Sequence, residues 1–141
     1  MASTGPAGRS ADAEIEAIRK LFVAINRGAV EDARGLLHSD VERIEPEGYA
    51  TAGVHRGADS VLAQIAKGRS TWAEGSCDPE RFVVAGEKIV ACLHARVRLK
   101  DKTDWIDGRF ADGFVFRDGK IAFMRTFWET REALEWAEVS E

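Results

Sequence analysis

The chain has 141 residues and a mass of 15.5 kDa, which fits one domain and leaves too little length for two cores. Hydrophobic residues make up 45% and charged residues 31%, with four Trp and seven Phe for core bulk, so global disorder is excluded. Twenty Lys and Arg against 24 Asp and Glu give a net charge of −4, which argues against nonspecific binding to nucleic acid or an anionic membrane.

In chain order, residues 1–9 are small and contain Gly and Pro without an apolar period, so they are expected to form a flexible tail ahead of a single domain over 10–141. From about Ser10, the apolar residues Ile15, Ile18, Phe22 and Ile25 recur at spacings of three and four and Gly28 acts as a stop, which predicts an amphipathic helix. Val30, Ala33 and Leu37 mark a second, shorter helix. Val41 to Glu45 reads as a brief strand ended by Pro46 and Gly48, and His55 is expected in the turn before a third helix. That helix starts near Asp59, carries Val61, Leu62, Ile65 and Trp72, and frays around Gly75. Strands follow at Phe82–Ala85, Lys88–Leu99, Asp104–Phe116 and Lys120–Trp128, separated by turn residues at Gly86, Asp101-Lys102 and Asp118-Gly119. Thr130 to Ala137 closes the chain with a helical period. Helices first and strands second argue for an α+β fold.

Several chemistries lack their sequence signals. Cys77 and Cys92 are isolated, which suits buried thiols rather than a disulfide framework or thiolate metal site. His38, His55 and His94 have no metal-binding spacing, and no glycine-rich nucleotide loop or serine elbow is present, so neither a metal nor a cofactor is expected. The apolar stretches are far shorter than the roughly 20 residues of a membrane span, and the N-terminus has no signal-like apolar segment, so a soluble, cytoplasmic protein is expected.

Strand parity gives the sharpest local reading. On Ile89–Leu99 one face is apolar, while the other carries His94, Arg96 and Arg98, expected on the outside as solvated or dimer-contacting residues. If the chain turns at Asp101-Lys102, Arg96 faces Asp107, His94 faces Arg109, Leu93 faces Phe110 and Ala91 faces Asp112. Asp112 then stands as a lone carboxylate on an apolar surface, the setting that raises a carboxyl pKa and marks functional sites. The next hairpin leaves a fork. A two-residue loop at Asp118-Gly119 pairs Asp112 with Arg125 as a structural ion pair, and a three-residue loop with a glycine bulge pairs it with Met124 as a tuned acid.

The strings Phe-Val-Ala-Ile-Asn-Arg-Gly at 22–28, Ile-Glu-Pro-Glu-Gly at 44–48, His-Arg-Gly at 55–57 and Asp-Gly-Phe-Val-Phe-Arg-Asp-Gly-Lys-Ile at 112–121, in this order, resemble the nuclear transport factor 2-like superfamily. This is the fold of ketosteroid isomerase and the SnoaL-like polyketide cyclases, and the likeness covers about Ile15 to Trp136. It implies a cone-shaped α+β fold: three N-terminal helices packed on a curved antiparallel sheet, with a short C-terminal helix. It also implies a homodimer and a cofactor-free isomerase or cyclase acting on a small apolar carbonyl compound. Matched to the isomerase, Glu45 falls on the general base and Asp112 on the protonated acid that donates to the oxyanion. Met124, Thr126 and Trp128 are then implied to face the cavity, which favours the tuned-acid branch. Two features depart from known branches. The isomerase's oxyanion-hole tyrosine falls on Leu21 or Phe22, and Thr126 lies where limonene epoxide hydrolases carry an aspartate. Tyr49, Trp72, Phe114 and Trp128 are further pocket candidates among the aromatics. A noncatalytic cavity protein of the same fold is the alternative to an acid/base enzyme.

Overall fold

The computed structural model describes residues 10–139, and the expected tail at 1–9 lies outside the described residues. Helix α1 (Ala11–Asn26) starts where Ser10 Oγ accepts a hydrogen bond from the Ala13 amide at 3.2 Å, with Asp12 and Glu14 complementing the helix dipole in the first turn. Ile18, Leu21 and Phe22 are buried on its inner face. Its last carbonyls are capped from elsewhere in the chain: Arg69 donates from Nε to Ile25 at 2.8 Å and from Nη2 to Asn26 at 3.2 Å. A 3₁₀ helix (Val30–Leu36) leads into β1 (Leu37–Glu45), then β2 (Gly53–Arg56), α2 (Ala58–Arg69), β3 (Trp72–Ala85), β4 (Lys88–Leu99), β5 (Trp105–Arg117), β6 (Lys120–Phe127) and α3 (Thr130–Trp136).

The six strands form one curved sheet in the order β2-β1-β6-β5-β4-β3, antiparallel throughout except where β1 runs parallel to β6. Strand parity decides what each face meets. Ile89, Ala91 and Leu93 of β4, together with Phe114 of β5, pack with Ile18, Leu21 and Phe22 of α1 and Val61, Leu62 and Ile65 of α2 in the main core. On the opposite face Val90, Ala111 and Phe127 pack with Ala133 and Leu134 of α3. There Gly113 lets the Trp136 ring approach to within 2.5 Å of where a Cβ would stand. The architecture is the cone-like α+β fold.

The strand from Ile89 pairs in the expected register, with Ala91 opposite Asp112, Leu93 opposite Phe110, His94 opposite Arg109 and Arg96 opposite Asp107. Other boundaries differ. The third helix ends at Arg69 rather than fraying past Trp72, and Trp72 opens a 14-residue edge strand. Gly75, at φ 124°, lies in that strand because a Cβ there would stand 2.2 Å from the Arg96 carbonyl oxygen. His55 belongs to the short strand β2, paired with Arg43, rather than to a turn. The strand before Pro46 begins at Leu37, four residues earlier than expected.

Neither branch of the expected fork at Asp112 is adopted. The Asp118-Gly119 turn is a two-residue loop with both φ values positive, so Arg117 pairs with Lys120 and Phe116 with Ile121. The register then slips between Phe116 and Val115, Ala122 being the extra residue of a bulge, and Asp112 pairs with Thr126. Arg125 stands opposite Gly113 on the other face, its guanidinium 4.9 Å from the centre of the Phe127 ring.

Candidate functional site

The inward faces of β1, β5 and β6 set the polar groups of the site in rows. Val41, Arg43 and Glu45 alternate with outward residues along β1, so the burial of Val41 carries Arg43 and Glu45 inward with it. Arg43 lies beside Met124, which pairs with Phe114. One step along, continuing the register puts Glu45 level with Thr126, which pairs with Asp112. Glu45 and Asp112 therefore sit two strands apart, at a backbone spacing of about 10 Å.

These rows wall a cavity of about 200 Å³ whose lining includes Phe22, Arg43, Glu45, Tyr49, Thr51, Gln64, Trp72, Cys77, Phe110, Asp112, Met124 and Thr126. Among the residues singled out from sequence, Glu45, Tyr49, Trp72, Asp112, Met124 and Thr126 meet along it. Phe114 and Trp128 are not among its lining residues. Phe114 is fully buried in the core one row below Asp112, and Trp128 is 51% exposed. Trp128 instead holds the loop after β1: its Nε1 donates to the Glu47 carbonyl at 3.0 Å, and its ring lies 4.4 Å from that of Tyr49. Tyr49 and Phe110, with ring centres 6.5 Å apart, stand at this end of the cavity.

Two hydrogen-bonded groups share the cavity. In the first, the Thr126 hydroxyl donates to Asp112 Oδ1 at 2.7 Å, and Asp112 is 4% exposed. In the second, Glu45 accepts from the Thr51 hydroxyl at Oε1 and from Arg43 Nη2 at 3.3 Å at Oε2. Gln64 Nε2 donates to the Thr51 carbonyl at 2.8 Å, tying α2 to this group. Arg43, Thr51 and Gln64 were not singled out from sequence. The signal for Arg43 was its parity with Val41; Thr51 and Gln64 gave none, because their roles depend on how the loop folds back over β1.

Burial dominates the electrostatics. It pushes the Asp112 carboxyl up to about 6, while the Arg43 charge and the Thr126 hydrogen bond hold it from rising further and the Glu45 charge adds to the rise. Burial, with the negative charges of Asp112 and Glu45, also raises the Tyr49 phenol above its ordinary range. Burial and then Asp112 raise the Cys77 thiol, so both groups keep their protons at neutral pH. Asn26 braces the wall where Cys77 sits, donating from Nδ2 to its carbonyl at 3.0 Å and accepting from its amide at 2.8 Å. Among the described residues no group of three or more His, Cys, Asp or Glu side chains is placed to hold a metal ion, and no helix is long and apolar enough to cross a membrane.

The family model for the SnoaL-like domain matches residues 18–124, which hold every lining residue named above except Thr126. The chain belongs to the SnoaL-like domain family. This SnoaL-like chain is 38% identical over 131 residues to an uncharacterized protein of Mycobacterium tuberculosis, covering 89% of this chain and 98% of the relative. Among solved structures it is similar to TerC co-crystallized with polyporic acid, at a TM-score of 0.73 and 24% identity over 89% of this chain and 98% of that one. It is equally similar to a nuclear transport factor 2-like protein of Burkholderia xenovorans, at a TM-score of 0.73 and 25% identity over 91% of this chain and 98% of that one. SnoaL-like domains of this superfamily often bind small molecules or act as isomerases and cyclases.

Proposed function

We propose that this SnoaL-like protein is a cofactor-independent acid/base enzyme of the isomerase or cyclase type, acting on a small carbonyl compound, with Asp112 as its proton carrier. The observation that carries this reading is Asp112 itself: a cavity-lining carboxyl raised to about 6 by burial. At neutral pH about nine in ten such groups are ionised and still basic enough to take a proton near the working pH. The Asp112 carboxylate removes the proton from a carbon next to the substrate carbonyl. The C–H pair becomes a C=C bond and the carbonyl π pair moves onto oxygen, giving an enolate. Where the enolate is conjugated with a further C=C bond, protonated Asp112 returns the proton to the far carbon of that bond, the oxygen pair re-forms the carbonyl and the double bond moves one place, which isomerises the substrate. Alternatively the enolate carbon attacks a second carbonyl and Asp112 protonates the alkoxide, which closes a ring.

Glu45, the base implied by the family likeness, takes a different part in this proposal. Both of its oxygens are engaged, by Thr51 and Arg43, so it anchors the Arg43 guanidinium beside the reacting carbonyl. Homodimer assembly, implied by the same likeness, belongs to the proposal and is tested by light scattering. The catalytic reading is tested by NMR detection of carbon-bound hydrogen exchange in D₂O, using small enolisable ketones. Asp112→Asn is expected to slow the catalysed exchange by about 10²- to 10⁴-fold. Equal exchange rates for the variant and the native protein would refute the role of Asp112.

A further inference from the structure

Three buried polar atoms around the cavity have no partner among the described residues: Nε and Nη1 of Arg43, and Oε1 of Gln64. Each belongs to a side chain already fixed at its other end. Arg43 is held through Nη2 by Glu45. Gln64 donates from Nε2 to the Thr51 carbonyl, an atom that can only accept, so its amide orientation is set and Oε1 remains an acceptor. A buried guanidinium with idle N–H groups and a buried carbonyl with an idle lone pair are costly in isolation. They match a ligand with one oxygen that accepts, or becomes anionic, and a second that donates.

Size narrows the class further. An apolar cavity of about 150 Å³ encloses benzene, so the 200 Å³ here suits one ring with a few substituents. Fused three- and four-ring compounds belong with larger pockets of about 300–1,000 Å³. The lining also includes the apolar side chains Phe22, Ile65, Phe110 and Met124. A neutral ligand needs no further counter-charge in the cavity, whose lining already carries Arg43 and Arg69 with Glu45 and Asp112. When such a ligand passes a proton to Asp112, the new negative charge lies on its own oxygen beside Arg43, and the total charge of the site does not change.

We infer that the cavity recognises single-ring compounds with two oxygens, as in resorcinol, one taken by Arg43 as an enolate- or phenolate-type oxygen and the other a hydroxyl donating to Gln64 Oε1. This rests on reading the cavity as a small-molecule site and names the ligand class for it. The test is calorimetric binding of resorcinol, 3-methoxyphenol, phenol and a three-ring diol to the full chain. Resorcinol and 3-methoxyphenol differ in whether the second oxygen can donate, so the comparison needs no variant. Resorcinol is expected to bind about five- to tenfold more tightly than 3-methoxyphenol or phenol, the worth of one hydrogen bond, and the three-ring diol is expected to bind worst. Gln64→Leu should erase the preference for resorcinol. No binding of resorcinol, equal binding of resorcinol and 3-methoxyphenol, a preference that survives Gln64→Leu, or tightest binding of the three-ring diol would each overturn the inference. None of these readouts needs turnover, so they separate from the exchange experiment. Loss of selectivity with Asp112-dependent exchange intact removes only the ligand class, whereas selectivity without exchange removes only the catalytic role.

Discussion

Replacing Asp112 by Asn should make the protein more stable at neutral pH, although it removes the group at the centre of the proposed chemistry. The buried carboxyl holds its proton up to about pH 6, against an ordinary value of 3.8. Between those values the native state binds more protons than the unfolded chain, so stability falls as pH rises through the window. At 1.36 kcal/mol per pH unit the gap amounts to about 3 kcal/mol, present in full above about pH 6 and absent below about pH 4. Asn keeps the shape and offers Oδ1 to the Thr126 hydroxyl, which now donates to Asp112, but it does not titrate. The stability of Asp112→Asn relative to the native protein should therefore grow by about 2.5 kcal/mol from pH 4 to pH 7.5. Urea unfolding followed by tryptophan fluorescence at those two pH values measures it. A difference that does not change with pH, or one that shifts against the variant as pH rises, would refute the burial argument.

Two other substitutions probe the supports of the site and of the sheet. Thr126→Val removes the 2.7 Å hydrogen bond that favours the ionised form of Asp112; the carboxyl should titrate about one pH unit higher, and the pH profile of proton exchange should move with it. Gly75→Ala adds a Cβ 2.2 Å from the Arg96 carbonyl oxygen at a backbone φ of 124°, so β3 and β4 must part locally. A loss of roughly 2–4 kcal/mol in urea unfolding is expected.

What the sequence revealed, and what it hid, follows the range of the forces involved. Parity along Ile89–Leu99 and a turn near Asp101 were enough to align β4 with β5, because a one-residue slip would turn every charged residue of that strand toward the core. The same logic brought Asp112 inward. Its cross-strand partner was hidden because the bulge at Ala122 leaves no mark in the sequence: alanine fits a regular strand as well as a bulged one, and the slip takes Thr126 to Asp112 in place of Arg125. Trp72 looked helical because it follows Leu62 and Ile65 at spacings that suit a buried stripe. Tertiary pairing with Leu99 places it in a strand, and the Arg69 guanidinium covers its ring at 4.7 Å. Strand β2 is four residues long and gains its place from β1 rather than from its own pattern. Among the cavity-lining residues, Asp112 was legible from strand parity and Glu45 from family likeness. Their neighbours Thr51 and Gln64 were not, since they reach the cavity only through a loop and a helix folded back over β1.

The proposed chemistry depends on the Asp112 carboxyl, whose ionisation is read by a carboxyl-carbon NMR titration assigned by comparison with Asp112→Asn. A titration near pH 6 is expected, the mark of a buried carboxyl only partly offset by Arg43 and Thr126. A midpoint at or below the ordinary 3.8 would show a carboxylate neutralised by its surroundings and would contradict the proton-carrier role on which the proposed function rests.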